Sequence, residues 1–400
     1  MDPLQRVESI ARDSYGRLLA YLSARSRDVA GAEDALSEAL HAALVTWPRN
    51  GVPRNPEAWL LAVARRRMID ATRHATVRAK AAPALQVLAE TEVSAEPGMF
   101  PDDRLKLLFI CAHPAINAAV RTPLMLQTVL GIDAARIASA FLVNPAAMSQ
   151  RLVRAKTKIR AAGIAFEVPA AAELPGRLDA VLEAIYAAYG TGWDDAFAID
   201  AGRRGLATEA VWLARVLVHL LPASAEALGL LSLMLHCEAR RAARRSPEGD
   251  YVPLSDQDTA RWSRPMLEEA EQVLRKAATL NNPGRFQLEA AIQSAHAQRI
   301  HGTPVDWNAI LALYDALTAL APRLGVWVGR AAALGEALGT GPALVALDEL
   351  PAASVAQYQP YWALLMHLHE RLGDRDAAAT ARQRALGLTK DPAVRRFLQR

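Results

Sequence analysis

Apolar residues recur every three or four positions along most of the chain, the spacing that lines one face of an α-helix, and clean period-two strand runs are hard to find. The clearest instance lies at 132–160. Ile137, Ala138 and Phe141 predict a short helix over Ala134–Phe141, followed by a turn at Leu142-Val143-Asn144. Pro145 then sits where a first helical turn tolerates proline. Met148, Leu152, Ala155 and Ile159, spaced four, three and four apart, predict a second helix with one apolar face. Upstream, 1–80 reads as helices, and 81–101 as a linker with Pro83, Glu90, Glu92, Glu96 and Pro97-Gly98. The whole of 102–165 forms a compact helical block. Residues 166–400 read as many short helices, ended rather than kinked by prolines such as Pro222, Pro265, Pro283, Pro304, Pro322, Pro351 and Pro392.

That last zone has repeat character. Residues 359–392 place Trp362 and Leu365 on one helix, Gly373 at a turn, Ala378 and Ala385 on the next helix, and Asp391-Pro392 at the end. This order approaches the tetratricopeptide pattern of about 34 residues, in which small residues let paired helices come close. Further helices are expected over Leu267–Leu280, Trp307–Leu320 and Trp327–Leu338. Degenerate helical hairpins are the expectation, with an irregular helical bundle as the alternative.

Composition supports the pattern. Hydrophobic residues make up 52% of the chain but aromatics only 6%, so the apolar content is mostly Ala, Leu and Val. That argues for an all-α fold and against a β-sandwich, a barrel or an α/β enzyme. The net charge of +4 hides an asymmetry. Residues 1–160 hold 22 Lys/Arg against 15 Asp/Glu, and 161–400 hold 24 against 27. A basic front half suggests a nucleic-acid partner. Two cysteines are too few for a disulfide framework. The N-terminus lacks a signal-peptide pattern, and the longest uncharged stretch, Pro351–His369, contains Gln357, Gln359, Pro360 and two histidines. A cytoplasmic location and no membrane partner are therefore expected.

Three charged elements carry the candidate chemistry. The helix from Pro145 bears Arg151, Arg154, Lys156, Lys158 and Arg160, and no acid occurs from Ala134 to Phe166. The layout is that of a helix-turn-helix, whose second helix enters the major groove. Ala146, Ala147, Ser149 and Gln150 would meet base edges, and Arg151, Arg154, Lys156 and Lys158 would meet phosphates. A basic amphipathic helix on a solvated surface is the plainer alternative. A second basic run, Arg65-Arg66-Arg67 with Arg73, shares a helix with Trp59, which suits unpaired nucleic acid. The third element is an acidic face with Glu33, Asp34 and Glu38.

Enzyme signals are weak. His113, His296, His301, His367 and His369 have no partners at catalytic or metal-binding spacing. Gly190-Thr191-Gly192 is too short for a phosphate loop, and Asp250, Asp256 and Asp258 lack the remainder of a calcium loop. No catalytic residue, metal or cofactor is expected.

Taken in order, Ala32-Glu33-Asp34-Ala35-Leu36, Trp47-Pro48, Asn55-Pro56-Glu57-Ala58-Trp59-Leu60 and Val63-Ala64-Arg65 resemble region 2 of bacterial extracytoplasmic-function sigma factors. Residues 102–165 resemble their region 4. Phe109-Ile110-Cys111-Ala112-His113-Pro114 and Gln150-Arg151-Leu152-Val153-Arg154-Ala155-Lys156 are similar to a subgroup with a long tetratricopeptide-like C-terminal extension, here Leu174–Arg400. The resemblance implies that Glu33, Asp34 and Glu38 dock on core RNA polymerase. Trp59, Arg65, Arg66, Arg67 and Arg73 would engage the −10 element of promoter DNA. The Pro145–Arg160 helix would read the −35 element. The extension would regulate activity, with a protein or small-molecule effector as its partner. Arg136 and Gln127 stand where the family usually has Glu and Arg.

Overall fold

The computed structural model describes residues 7, 14–79, 103–141, 143–170, 172–193, 201–389 and 391–400; side chains are described throughout except at 71–79, 139–140, 191–193 and 201–206. Among the described residues the regular structure is nineteen α-helices, four short 3-10 turns and one isolated bridge, Arg245 to Tyr251. The expected all-α class is borne out. The expected linker at 81–101 lies outside the described residues. The chain forms two compact units, Met1–Leu213 and Ala214–Arg400.

The front unit starts with α1 (Tyr15–Ser26), α2 (Val29–Asn50) and α3 (Pro56–Ala79). Their apolar faces close a core that includes Leu18, Leu22, Leu36, Trp47 and Leu60. Asp28 caps α2, its carboxylate accepting from the Gly31 N–H at 3.1 Å, and Asn55 accepts from Ala58 N–H at 3.1 Å at the start of α3. Arg17 of α1 holds both carboxylate oxygens of Glu57 at 2.7 and 2.6 Å, tying α1 to α3.

Four helices follow: α4 (Arg104–Cys111), α5 (Ala118–Leu130), α6 (Ala134–Ala140) and α7 (Pro145–Ala161). The last two match the helices read from the apolar spacing to within one residue. Met148, Leu152, Ala155 and Ile159 are all buried, as their spacing requires. Helix α1 packs on α4 and α5, and Gly16 permits the approach, because a Cβ there would run into the Val129 carbonyl of α5.

Helix α8 (Leu174–Trp193) packs on α4 and α5. Thr122 donates to the Ala184 carbonyl at 2.9 Å, and Arg177 donates to the Phe109 carbonyl at 2.9 Å. The compact front unit therefore runs past the 165–166 boundary drawn from sequence, and its division from the back unit falls within α9 (Ala201–Leu220).

The back unit is a succession of packed helices: α10 (Ala225–Ala239), α11 (Arg264–Thr279), α12 (Arg285–Ala297), α13 (Trp307–Leu320), α14 (Leu324–Ala337), α15 (Thr340–Asp348), α16 (Ala352–Val355), α17 (Gln359–Leu372), α18 (Arg375–Leu388) and α19 (Pro392–Leu398). Pro265 and Pro392, expected to end helices, instead open them, because a first turn needs no N–H from proline, while Pro222, Pro283, Pro304 and Pro322 stand between helices. Gly373, at φ +76°, makes the left-handed turn between α17 and α18. Glu226 of α10 caps α12, accepting from the N–H groups of Phe286 and Gln287 at 3.0 and 3.1 Å. The two ends of the unit meet. Arg245, in the long connection after α10, pairs with Asp391, and Arg396 and Arg400 both bind Asp250, the former at 2.8 Å. Tyr251 and Phe397 meet edge to face with centroids 5.4 Å apart.

Candidate nucleic-acid interface

Helix α7 carries the densest positive charge of the front unit, and its local sequence explains its start. Asn144 accepts from the Ala146 N–H at 2.9 Å, and Pro145 occupies the first turn. With Met148, Leu152, Ala155 and Ile159 turned inward, the remaining residues divide into two flanks at about 100° per residue. On one flank Arg151, Arg154 and Lys158 are exposed. Ser149, Gln150 and Ala146 are also exposed, and Ala147 is half-buried. These are the residues expected to face DNA.

Lys156 departs from that expectation. Its side chain is 7% exposed and paired with Glu33 of α2, itself 14% exposed. The reason is positional: Lys156 follows Leu152 by four residues and so sits beside the buried stripe. On the same flank Arg160 reaches the Asp28 carboxylate at 3.1 Å. Two residues expected to serve different partners, Lys156 and Glu33, thus bind one another here. Asp28, Arg160 and the exposed Val153 of α7 were not among the expected site residues. Asp28 was recoverable from the capping rule, since it precedes the first residue of α2. Val153 was recoverable as an apolar break in the polar face.

The other acids of α2 remain on the surface. Asp34 is exposed, and Glu38 meets Arg67 of α3 at 3.2 Å with both side chains more than half exposed. An exposed pair of this kind contributes about 0–1 kcal/mol, so it restrains Arg67 little. Arg66 is exposed. Arg65 is half-buried, with its guanidinium on the Tyr21 hydroxyl and 5.1 Å from the Tyr21 ring centroid. Trp59 is half-buried, edge-on to the buried Trp47 at 5.5 Å. Such an aromatic pair stabilises by about 0.5–1.5 kcal/mol beyond burial, which makes Trp59 part of the α1–α3 core as found. The side chain of Arg73 lies outside the described residues.

Arg136, the basic residue of α6, pairs with Glu209 of α9 at 3.2 Å. His113 acts as a turn residue: its Nδ1 accepts from the Ala115 N–H at 3.1 Å, and burial, then Arg177 and Arg121, push its pKa below the ordinary value. Cys111 is buried against Thr128, its Sγ 3.4 Å from Oγ1, and burial pushes the thiol up to about 12. Cys237 is half-buried, and both cysteines are free. Among the described residues no cluster of three or more His, Cys, Asp or Glu could hold a metal, and no helix is long and apolar enough to cross a membrane. The back unit has a cleft of about 380 Å³ lined by Trp327, Arg330, Glu349 and Leu350 among others.

With this geometry in hand, the comparisons with known proteins divide along the chain. Residues 10–77, which contain α1, α2 and nearly all of α3, match the Sigma-70 region 2 family. Residues 177–278 match a family of unknown function, DUF6596. An uncharacterized protein of Rhizobium meliloti (strain 1021) is 37% identical over 391 residues, covering 96% of this chain and 91% of its own length. No solved structure matches the chain. A region 2 domain supports a sigma-factor role in transcription initiation, with core RNA polymerase and promoter DNA as partners. The chain belongs to one family with the Rhizobium protein along nearly its whole length, and its front end is a sigma-70 region 2 domain.

Proposed function

We propose that the chain is a sigma factor of the extracytoplasmic-function type, in which α6 and α7 form a helix-turn-helix that reads the −35 element as duplex. The observation that carries this reading is the region 2 match over 10–77, followed in the chain by the basic exposed flank of α7. Ser149, Gln150, Ala146 and Ala147 meet base edges, and Arg151, Arg154 and Lys158 meet phosphates. Arg66 and Arg67 of α3 are the cations best placed for the −10 element; Trp59 joins them only by leaving Trp47, which costs its core contact. Asp34, Glu38 and Glu33 of α2 dock on core RNA polymerase. The back unit acts as a tetratricopeptide-like regulatory extension, and its cleft at Trp327, Arg330 and Glu349 is the seat for an effector. The protein is cytoplasmic and does no bond chemistry.

Run-off transcription tests this directly. The purified chain with core polymerase should yield a defined transcript from a template carrying its own upstream promoter region. Core binding without any transcript would refute the reading and favour an interaction scaffold that keeps a sigma-like front end.

A further inference from the structure

The front unit joins two surfaces that the proposed function needs apart. Helix α2 presents acids to polymerase, and α7 presents cations to DNA. Here Lys156 of α7 is paired with Glu33 of α2, both nearly shielded from water, and Arg160 holds Asp28 one turn further along. Asp28 also caps α2, so the second contact engages a carboxylate that the helix already fixes in place. Close backbone contact between α1 and α5 also joins the two helix sets. Gly16 of α1 lies on the Val129 carbonyl of α5, and the ring of Tyr15 fills the space beside Gly131. Burial, then the nearby Glu33 carboxylate, push the Tyr15 pKa up, so Tyr15 of α1 also faces Glu33.

We infer that Lys156–Glu33 and Arg160–Asp28 form an electrostatic clasp that closes the front unit, so that polymerase and DNA each compete with the chain's own opposite charges. This rests on the sigma-factor reading for the identity of the two partners. A basic polymerase surface reaches Glu33 only when Lys156 has left it. Duplex phosphate meets Lys156 only when Glu33 has left it, and until then Asp28 and Glu33 repel phosphates from that flank of α7. Binding on one helix therefore favours binding on the other, and linkage makes the effect reciprocal. Removing an acid from α2 raises affinity for DNA, and removing a cation from α7 raises affinity for polymerase. Neither result follows if each residue simply touches its own partner.

The test uses the full chain in two arms. In the first, surface amines of the free protein are labelled and read by mass spectrometry, with the exposed Lys158 as internal reference. Lys156 should be protected in the wild type and reach the reactivity of Lys158 in Glu33→Gln. In the second, Lys156→Gln should bind core polymerase roughly tenfold more tightly than the wild type, by restoring the open fraction, while Arg375→Gln, at an exposed position of α18 in the back unit, leaves that affinity unchanged. If Lys156→Gln lowers the melting temperature, Arg160→Gln, at a side chain 59% exposed, gives the same direction with less cost to folding. Lys156 as reactive as Lys158 in the wild type overturns the clasp, and so does unchanged or weaker polymerase binding by both variants. If no form of the chain binds core polymerase, the sigma-factor reading fails, and the labelling arm alone then decides whether the clasp exists.

Discussion

Gly16 of α1 is seated on the backbone carbonyl of Val129 of α5, at a position where any side chain would collide. This contact joins the helices of the region 2 match to those that follow. Gly16→Ala should destabilise the front unit by about 1–3 kcal/mol, the usual cost of forcing a methyl into a packed interface. Urea unfolding should show a lower midpoint for the front unit, and an unchanged midpoint would mean that the two helix sets are not packed this way in solution.

Arg154 is exposed on the flank of α7 opposite the clasp. If it meets phosphate, Arg154→Ala should weaken duplex binding and reduce the slope of log K against log salt by about 0.9. A titration across salt concentrations reads this, and an unchanged slope would remove Arg154 from the phosphate contacts.

Val153 is 59% exposed amid the polar face of α7. An apolar side chain there suits the 5-methyl group of thymine in the major groove. Duplexes selected for binding should lose about 0.8 kcal/mol, roughly fourfold, when one thymine is replaced by uracil. Val153→Ala should abolish that difference. Equal binding of thymine and uracil duplexes by the wild type would exclude the contact.

His236 of the back unit is 1% exposed, and burial, then Arg240, push its pKa down to about 3. The folded unit keeps it neutral, whereas the unfolded chain protonates it near its ordinary value. The unfolded state then binds more protons, so stability falls as pH drops below about 6.5, by at most about 1.4 kcal/mol per pH unit, until the folded histidine itself titrates. His236→Gln should flatten that dependence in urea midpoints measured between pH 7 and 4. The same slope in the variant would assign the loss to other groups.

Much of the fold was legible because helical spacing and punctuation are local. The α6–α7 pair and the Gly373 turn follow from neighbours within a few residues, whereas Pro265 and Pro392, read as helix ends, stand at helix starts. The site was only half legible. Spacing alone placed Arg151, Arg154 and Lys158 outward. For Lys156, the four-residue step from Leu152 put it at the edge of the buried stripe, but only the fold shows that Glu33, 123 positions away, covers it. The same holds for Arg136: as a lone basic residue on a short helix it looks like a family departure, and its partner Glu209 lies 73 positions on. Trp59 reads equally well as a base-stacking platform or as core, and its ring contact with Trp47 is what separates the two.

The meeting of α19 with the connection after α10 sets how many hairpins the back unit can contain. An open stack of repeats can gain or lose a terminal member, because each contacts only its neighbours. Here the Arg245–Asp391 pair and the Asp250 contacts of Arg396 and Arg400 span the array from one end to the other. Inserting or deleting one hairpin between them would carry α19 away from its seat and strip Asp391 from Arg245. These pairs therefore tie the position of α19 to the number of helix pairs before it, and relatives that vary in length should do so in the loops of this unit rather than in its number of helix pairs.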